Sequence, residues 1–230
     1  MKNYSITYIC FVALTISNFI TAGTYKIAFG SCLDQDYPQP IWQSIKNENI
    51  NSFIFLGDNV YGDVPSGELN KMKKAYAHQK TMIPDWLFKK DMNVIWDDHD
   101  YGPNNAGAEF FNKETARLVF KEMWTNQLQA NDSEGIYFSF KRKEAEFFML
   151  DVRYFKIADS QLLGDKQMKW LLEKLKKSDT VTVVKLFNIL KTSTRSPRFR
   201  RSSNVVNLQI FRRSSYSSLP IAGTSLVARR

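Results

Sequence analysis

The chain has 230 residues, 43% of them hydrophobic and 14% aromatic, and carries a formal net charge of +9. That length suits one sizeable α/β domain, or a domain with extensions, and the apolar content excludes disorder throughout. All 23 acidic residues lie before Thr180, whereas ten of the 32 basic ones lie after it, so the body is close to neutral and the charge belongs to a tail.

The N-terminus reads "MKNYSITYICFVALTISNFITAG", with one early lysine, an apolar stretch from Tyr8 to Ile16 and small residues at Ala22 and Gly23. This is the layout of a cleaved secretory signal. A buried first strand or a membrane anchor fits less well, because the apolar part is too short to span a bilayer comfortably. Cleavage near Gly23 removes Cys10 and leaves Cys32 alone. In an oxidising compartment a lone thiol is free, paired between chains, or a metal ligand. No later stretch is apolar enough to cross a membrane, so the expectation is a secreted chain without a stable anchor. The expected organisation is a signal over 1–23, a domain over 24–184 and a basic tail over 185–230.

Short apolar, β-branched or aromatic runs appear in order at "YKIAF", "SFIFL", "NVIW", "EFFML" and "TVTVV". Helix-like stretches separate several of them. "QPIWQSIKNENI" follows the first run, and "SGELNKMKKAYAHQK" follows the second with Ser66 as the expected N-cap. "GAEFFNKETARLVFKEMW" has a helical apolar period, and "DKQMKWLLEKLKKS" is the clearest amphipathic helix, with Asp165 near its start and lysines at its end. Alternating strands and helices predict a layered α/β domain with a largely buried sheet. After about residue 185 the chain turns Ser- and Arg-rich without a convincing period, which predicts a solvated or disordered tail.

Each apolar run ends on reactive side chains. "KIAFGSC" delivers Cys32; "FIFLGDNVY" delivers Asp58, Asn59 and Tyr61. "NVIWDDHDYG" delivers Asp97, Asp98, His99 and Asp100; "EFFMLDVRYF" delivers Asp151 and Arg153. In α/β sheets, ligands bind in the crevice at the carboxyl ends of the strands. A single polar residue there is a turn signal. Four ends loaded with thiol, carboxylate, phenol, imidazole and guanidinium combine metal-ligand and anion-clamp chemistries. Three carboxylates around one imidazole repel each other if buried without a cation, so "WDDHDYG" is either an exposed acidic turn or part of such a site.

In "FGSC", "GDNVYGD", "WDDHDYG", "GIY" and "LDVRYF", taken in that order, the chain resembles the PhoD-like, or alkaline phosphatase D, branch of the metallophosphoesterases. The resemblance covers roughly residues 25–177. It implies a four-layer α/β sandwich of the metallophosphoesterase type that hydrolyses phosphate mono- or diesters through a hydroxide activated by two metal ions. On matching positions it implies that Asp58 bridges the metals, with Cys32 and Tyr61 on an iron-like ion. Asp98 then serves a second ion, calcium or another divalent, and His99 acts as general acid or phosphate contact. From its chemistry, Arg153 is expected to steady substrate charge. At "GPNNAG", Asn105 stands where relatives often carry an aspartate.

The resemblance also implies further strands bringing Asp and His ligands from a second half. After Asp179 there is neither a carboxylate nor a histidine, and of the two histidines His78 sits in a polar helix. A second reading is therefore a truncated, catalytically impaired relative with a replaced C-terminus. A third makes Arg195, Arg198, Arg200, Arg201, Arg212 and Arg213 a polyanion-binding tail, with Phe199, Phe211 and Tyr216 available to stack on bases. No recognised nucleic-acid-binding fold accompanies them, and no specific nucleic-acid partner is expected. An incomplete sandwich leaves a sheet edge open, which predicts self-association through that edge.

Overall fold

The computed structural model describes residues 25–178, apart from 126, 127, 129–133, 144 and 159, together with the backbone of strands at 182–186, 207–212 and 222–227. The expected signal over 1–23 lies outside the described residues, as does most of the tail. The chain is an α/β fold. Strand β1 (Ile27–Gly30) leads through helix α1 (Ile41–Asn47) to β2 (Ser52–Leu56), and through α2 (Asn70–Met82) and α3 (Asp85–Phe88) to β3 (Asp91–Ile95). These three strands pair in parallel, Ile27 opposite Ser52 and Ser52 opposite Asp91. Their near-continuous apolar sequences fit strands covered on both faces.

The chain continues through α4 (Asp98–Tyr101) and α5 (Lys113–Met123) to the hairpin of β4 (Phe138–Arg142) and β5 (Ala145–Met149). Helix α6 (Gly164–Lys177) then leads to β6 (Thr182–Leu186), which runs parallel to β5. The five predicted strand runs all form strands; β4, with its polar Lys141 and Arg142, was not anticipated. No helix among the described residues is long and apolar enough to cross a membrane.

Side-chain alternation fixes the layers. On β2, Phe53 and Phe55 meet Trp42 of α1, at ring centroids 5.6 and 6.2 Å away, and Phe55 meets Trp124 beyond α5 at 5.1 Å. On β5, Phe147 and Met149 join the main core while Phe148, between them, joins Leu171 of α6 in a smaller cluster. Successive strand residues face opposite sides, so α6 covers the face of the second sheet turned away from the main core.

Two expectations differ from the structure. Ser66 does not cap α2: Gly67, at φ +75°, closes a turn by donating its N–H to Val64 O, and the helix starts only at Asn70 after Leu69. Within the tail, β7 (Asn207–Arg212) and β8 (Ala222–Val227) are strands, β7 pairing antiparallel with β1 and β8 with β7. The alternation holds only over "NLQI", four residues, and the surrounding Ser/Arg composition hid it.

Candidate metal centre

The first three strands are neighbours and parallel, so the loops leaving Gly30, Leu56 and Ile95 emerge along one edge of the sheet. Backbone bonds stitch the first two loops together: Cys32 N–H donates to Gly57 O and Leu33 N–H to Asp58 O, at 3.2 and 2.8 Å. Cys32 and Asp58 both take left-handed backbone, at φ 60° and 50°. Non-glycine residues adopt that conformation uncommonly, and when they do so at a site it aims a side chain that an extended loop would turn elsewhere. Gly57 admits the third loop. A Cβ on it would stand 2.6 Å from Asp97 Cβ and 2.9 Å from the Trp96 carbonyl carbon, and its φ is +103°.

The four polar side chains of "DDHD" divide into distinct tasks. Asp97 and Asp100 form a capping box on α4: the Asp97 side chain accepts from the Asp100 N–H, and the Asp100 carboxylate accepts from the Asp97 N–H. Asp100 also accepts from Asn59 N–H at 3.1 Å and from Tyr76 O–H at 3.0 Å, locking the second loop against α2 and α4. That leaves Asp98 and His99, consecutive on one short helical turn, to face Asp58. Asp58, Asp98 and His99 each offer one ligand atom within 4.8 Å of the others.

Cys32 and Tyr61 complete the group. The Cys32 thiol donates to Asp58 Oδ2 at 3.4 Å and the Tyr61 hydroxyl approaches the same oxygen at 3.5 Å. The structure thus brings Cys32, Asp58, Tyr61, Asp98 and His99 together. Tyr61 is held by a residue the sequence did not flag: Gln35 accepts from the Tyr61 N–H at 2.9 Å and donates to its carbonyl at 3.4 Å. His99 is likewise oriented by an unassigned group, Asp63, whose Oδ1 lies 2.8 Å from Nδ1, with side chains only 21% and 18% exposed. Asp63 lay within the quoted "GDNVYGD" and was legible as a motif member; nothing in the sequence marked Gln35. His78 has the peripheral place expected of it, an exposed pairing with Asp36 at 3.7 Å.

Arg153 was expected to face substrate. Its side chain is 8% exposed; Nε pairs with Asp97 Oδ1, and Nη2 lies 3.5 Å from Asp98 Oδ1. Asp151, at the end of the same strand, is a structural hub. Its Oδ1 accepts from Trp96 Nε1 and the N–H groups of Arg153 and Tyr154, while Oδ2 accepts from Ile136 N–H. Asn105, at φ 64°, contributes its backbone: its N–H donates to Asp98 Oδ2 at 2.8 Å.

Burial and mutual repulsion disfavour the charged forms of the acidic groups in the cluster. Burial, and after it the charge of Asp97, pushes the Asp58 carboxyl up to about 6. Burial, followed by the charge of Asp58, pushes Asp100 to about 8. Burial and then Asp58 push the Cys32 thiol up to about 12, and the Tyr61 phenol rises for the same leading reason. For His99 burial works against the charged ring, but the Asp63 hydrogen bond and the carboxylates of Asp58, Asp63 and Asp98 outweigh it and raise the value. Asp58 Oδ1 is buried without a hydrogen-bond partner. A buried, unsatisfied carboxylate oxygen aimed among other anionic donors is costly unless something positive meets it. Thiolate, phenolate, carboxylate and imidazole are a donor set that fits a metal ion, and a bound cation stabilises the deprotonated ligands that burial disfavours. Neither a family model nor a curated protein matches this chain.

Proposed function

We propose that the chain is a metal-dependent phosphoesterase of the PhoD-like kind, secreted, with the layered sandwich architecture of that group. One observation carries the reading: Asp58, from the loop after β2, and Asp98 and His99, from the turn after β3, present ligand atoms within 4.8 Å of one another. Cys32 and Tyr61 adjoin the shared Asp58 carboxylate. In this reading Asp58 faces two ions, Cys32 and Tyr61 serve an iron-like one, and Asp98 serves calcium or another divalent. Bound there, the ions supply Lewis-acid charge to a phosphate ester and acidify water. His99, fixed through Nδ1 by Asp63, presents its other ring nitrogen to hand a proton to the leaving oxygen.

A second reading, an impaired relative, is favoured by the ligand count. Among the described residues one three-residue cluster of this kind is present, and it draws only on strand ends before residue 100. The two readings part in one experiment on the full chain. Bound iron, calcium and zinc are quantified, and bis(p-nitrophenyl) phosphate hydrolysis is assayed for wild type and Asp58→Asn. The active enzyme binds metal and loses at least about a hundredfold in turnover on the substitution, as expected when a ligand of the charge-supplying ions is removed. A folded chain that binds no metal and turns nothing over refutes the phosphoesterase reading; one that binds metal without turnover is the impaired relative.

A further inference from the structure

Arg153 lies where a substrate grip was expected, yet its Nε is turned inward to Asp97. A guanidinium clamps phosphate through an open edge bearing two parallel N–H groups. Here Nε is turned to Asp97 and Nη2 towards Asp98, and 8% of the side chain is exposed. Its own backbone is pinned in turn, the Arg153 N–H donating to Asp151 Oδ1 at 3.0 Å. The guanidinium therefore stands on a rigid post and spans two consecutive residues of the α4 turn.

Asp98 is held from two sides. Arg153 Nη2 approaches its Oδ1, and the Asn105 N–H donates to its Oδ2 at 2.8 Å. The first is a charge contact at 3.5 Å and the second a hydrogen bond, and the carboxylate between them is fully buried and shares a 4.8 Å cluster with Asp58 and His99. Asp97, whose side chain also caps α4, sets the guanidinium against that turn.

We propose that Arg153 is a positioning residue: set between Asp97 and Asp98, it holds the Asp98 carboxylate in the orientation that faces Asp58 and His99. This rests on the metal-binding reading above. A cation beside a metal site has two opposed consequences. By charge alone it repels an incoming ion, so deleting it strengthens metal binding. By orientation it fixes a ligand, so deleting it weakens metal binding, as loss of outer partners of metal ligands generally does. The sign of the change separates the two.

The test uses the full chain and Mn²⁺ alone as probe. Binding is followed by titration calorimetry, and melting is measured in chelator, for wild type, Arg153→Met, Arg153→Lys and Arg153→Met with Asp97→Asn. Arg153→Met is expected to lose about tenfold or more in Mn²⁺ affinity. It also melts roughly 5 °C lower in chelator, because buried carboxylates lose their counter-charge. Arg153→Lys restores melting but only part of the affinity, since an ammonium cannot span both carboxylates. Removing the Asp97 charge alongside Arg153 restores melting, which keeps the experiment interpretable if the single variant folds poorly. Unchanged or tighter Mn²⁺ binding by Arg153→Met overturns the inference, as does a raised KM for bis(p-nitrophenyl) phosphate at unchanged Mn²⁺ affinity. A wild-type chain that takes up no Mn²⁺ overturns the metal reading and this inference together; a wild-type chain that binds while the variant is unaffected overturns this inference alone.

Discussion

Replacing Asp151 by Asn changes one oxygen to an amide nitrogen at a fully buried position. Four donors surround that carboxylate: Trp96 Nε1 at 2.8 Å and the N–H groups of Arg153, Tyr154 and Ile136 at 3.0 Å each. Burial pushes the carboxyl up from its usual range, and the bonds from Trp96, Tyr154, Arg153 and Ile136 pull it back. Every one of those groups is a donor, so a protonated Asp151 has nothing among them to receive its proton, and the group acts as an anion. In the Asn variant the carbonyl keeps the three bonds to Oδ1, weakened from charged to neutral, and the amide NH₂ faces the Ile136 N–H, donor against donor. One charge-assisted bond is lost and one buried N–H is orphaned, each costing about 1–3 kcal/mol. The expected loss is about 3–5 kcal/mol, or more than 1 M in urea midpoint for a slope of about 2 kcal/mol per M. Urea unfolding followed by tryptophan fluorescence measures it, with Trp96 as a local reporter. A shift under about 0.3 M refutes the reasoning, because a protonated Asp151 is the state that Asn replaces at little cost.

Three further outcomes are expected. Gly57→Ala places a methyl 2.6 Å from Asp97 Cβ on backbone at φ +103°, so differential scanning calorimetry should find it about 3 kcal/mol or more less stable. Adding Mn²⁺ at about a hundredfold over its dissociation constant should stabilise the chain by about 2.7 kcal/mol in urea unfolding, and chelator should reverse it; Asp58→Asn should blunt the effect. Glu114 is held below its usual 4.5, chiefly by the Tyr154 hydroxyl and then by Arg117, against burial. The unfolded chain therefore binds that proton first as pH falls. Its contribution is complete above about pH 4.5 and fades as pH drops through the lower folded value, so the melting difference between wild type and Glu114→Gln should shrink in acid.

The strands and the long helices were legible because apolar runs and helical periods report burial directly, and Cys32, Asp58, Tyr61, Asp98 and His99 were legible because each follows such a run. What escaped depends on contacts between distant segments. Arg153 reads as an anion clamp from its type alone, and only the fold reveals that Asp97 and Asp98 already occupy it. Asp100, in a row of acids, and Asp151, alone at a strand end, both look like ligands, yet Asp151 gathers four N–H donors and Asp100 caps a turn and receives Asn59 and Tyr76. Gln35 carries no local signature, because its partner is the Tyr61 backbone across a loop. Strand β4 was hidden by its lysine and arginine, and the α2 start by the Gly67 turn, where Phe110 and Phe111 stand too close for a Cβ.

The ligand-bearing loops all leave strands completed before residue 100, whereas Arg153 arrives in the loop after β5, pinned by Asp151, whose own backbone is held by Gln167 of α6. As the chain emerges from the ribosome, amino-terminal segments pair first. The acidic groups are then brought close to one another some fifty residues before the guanidinium that neutralises two of them exists. A chain that stops short of β5 therefore keeps the Asp97 and Asp98 carboxylates side by side without that guanidinium.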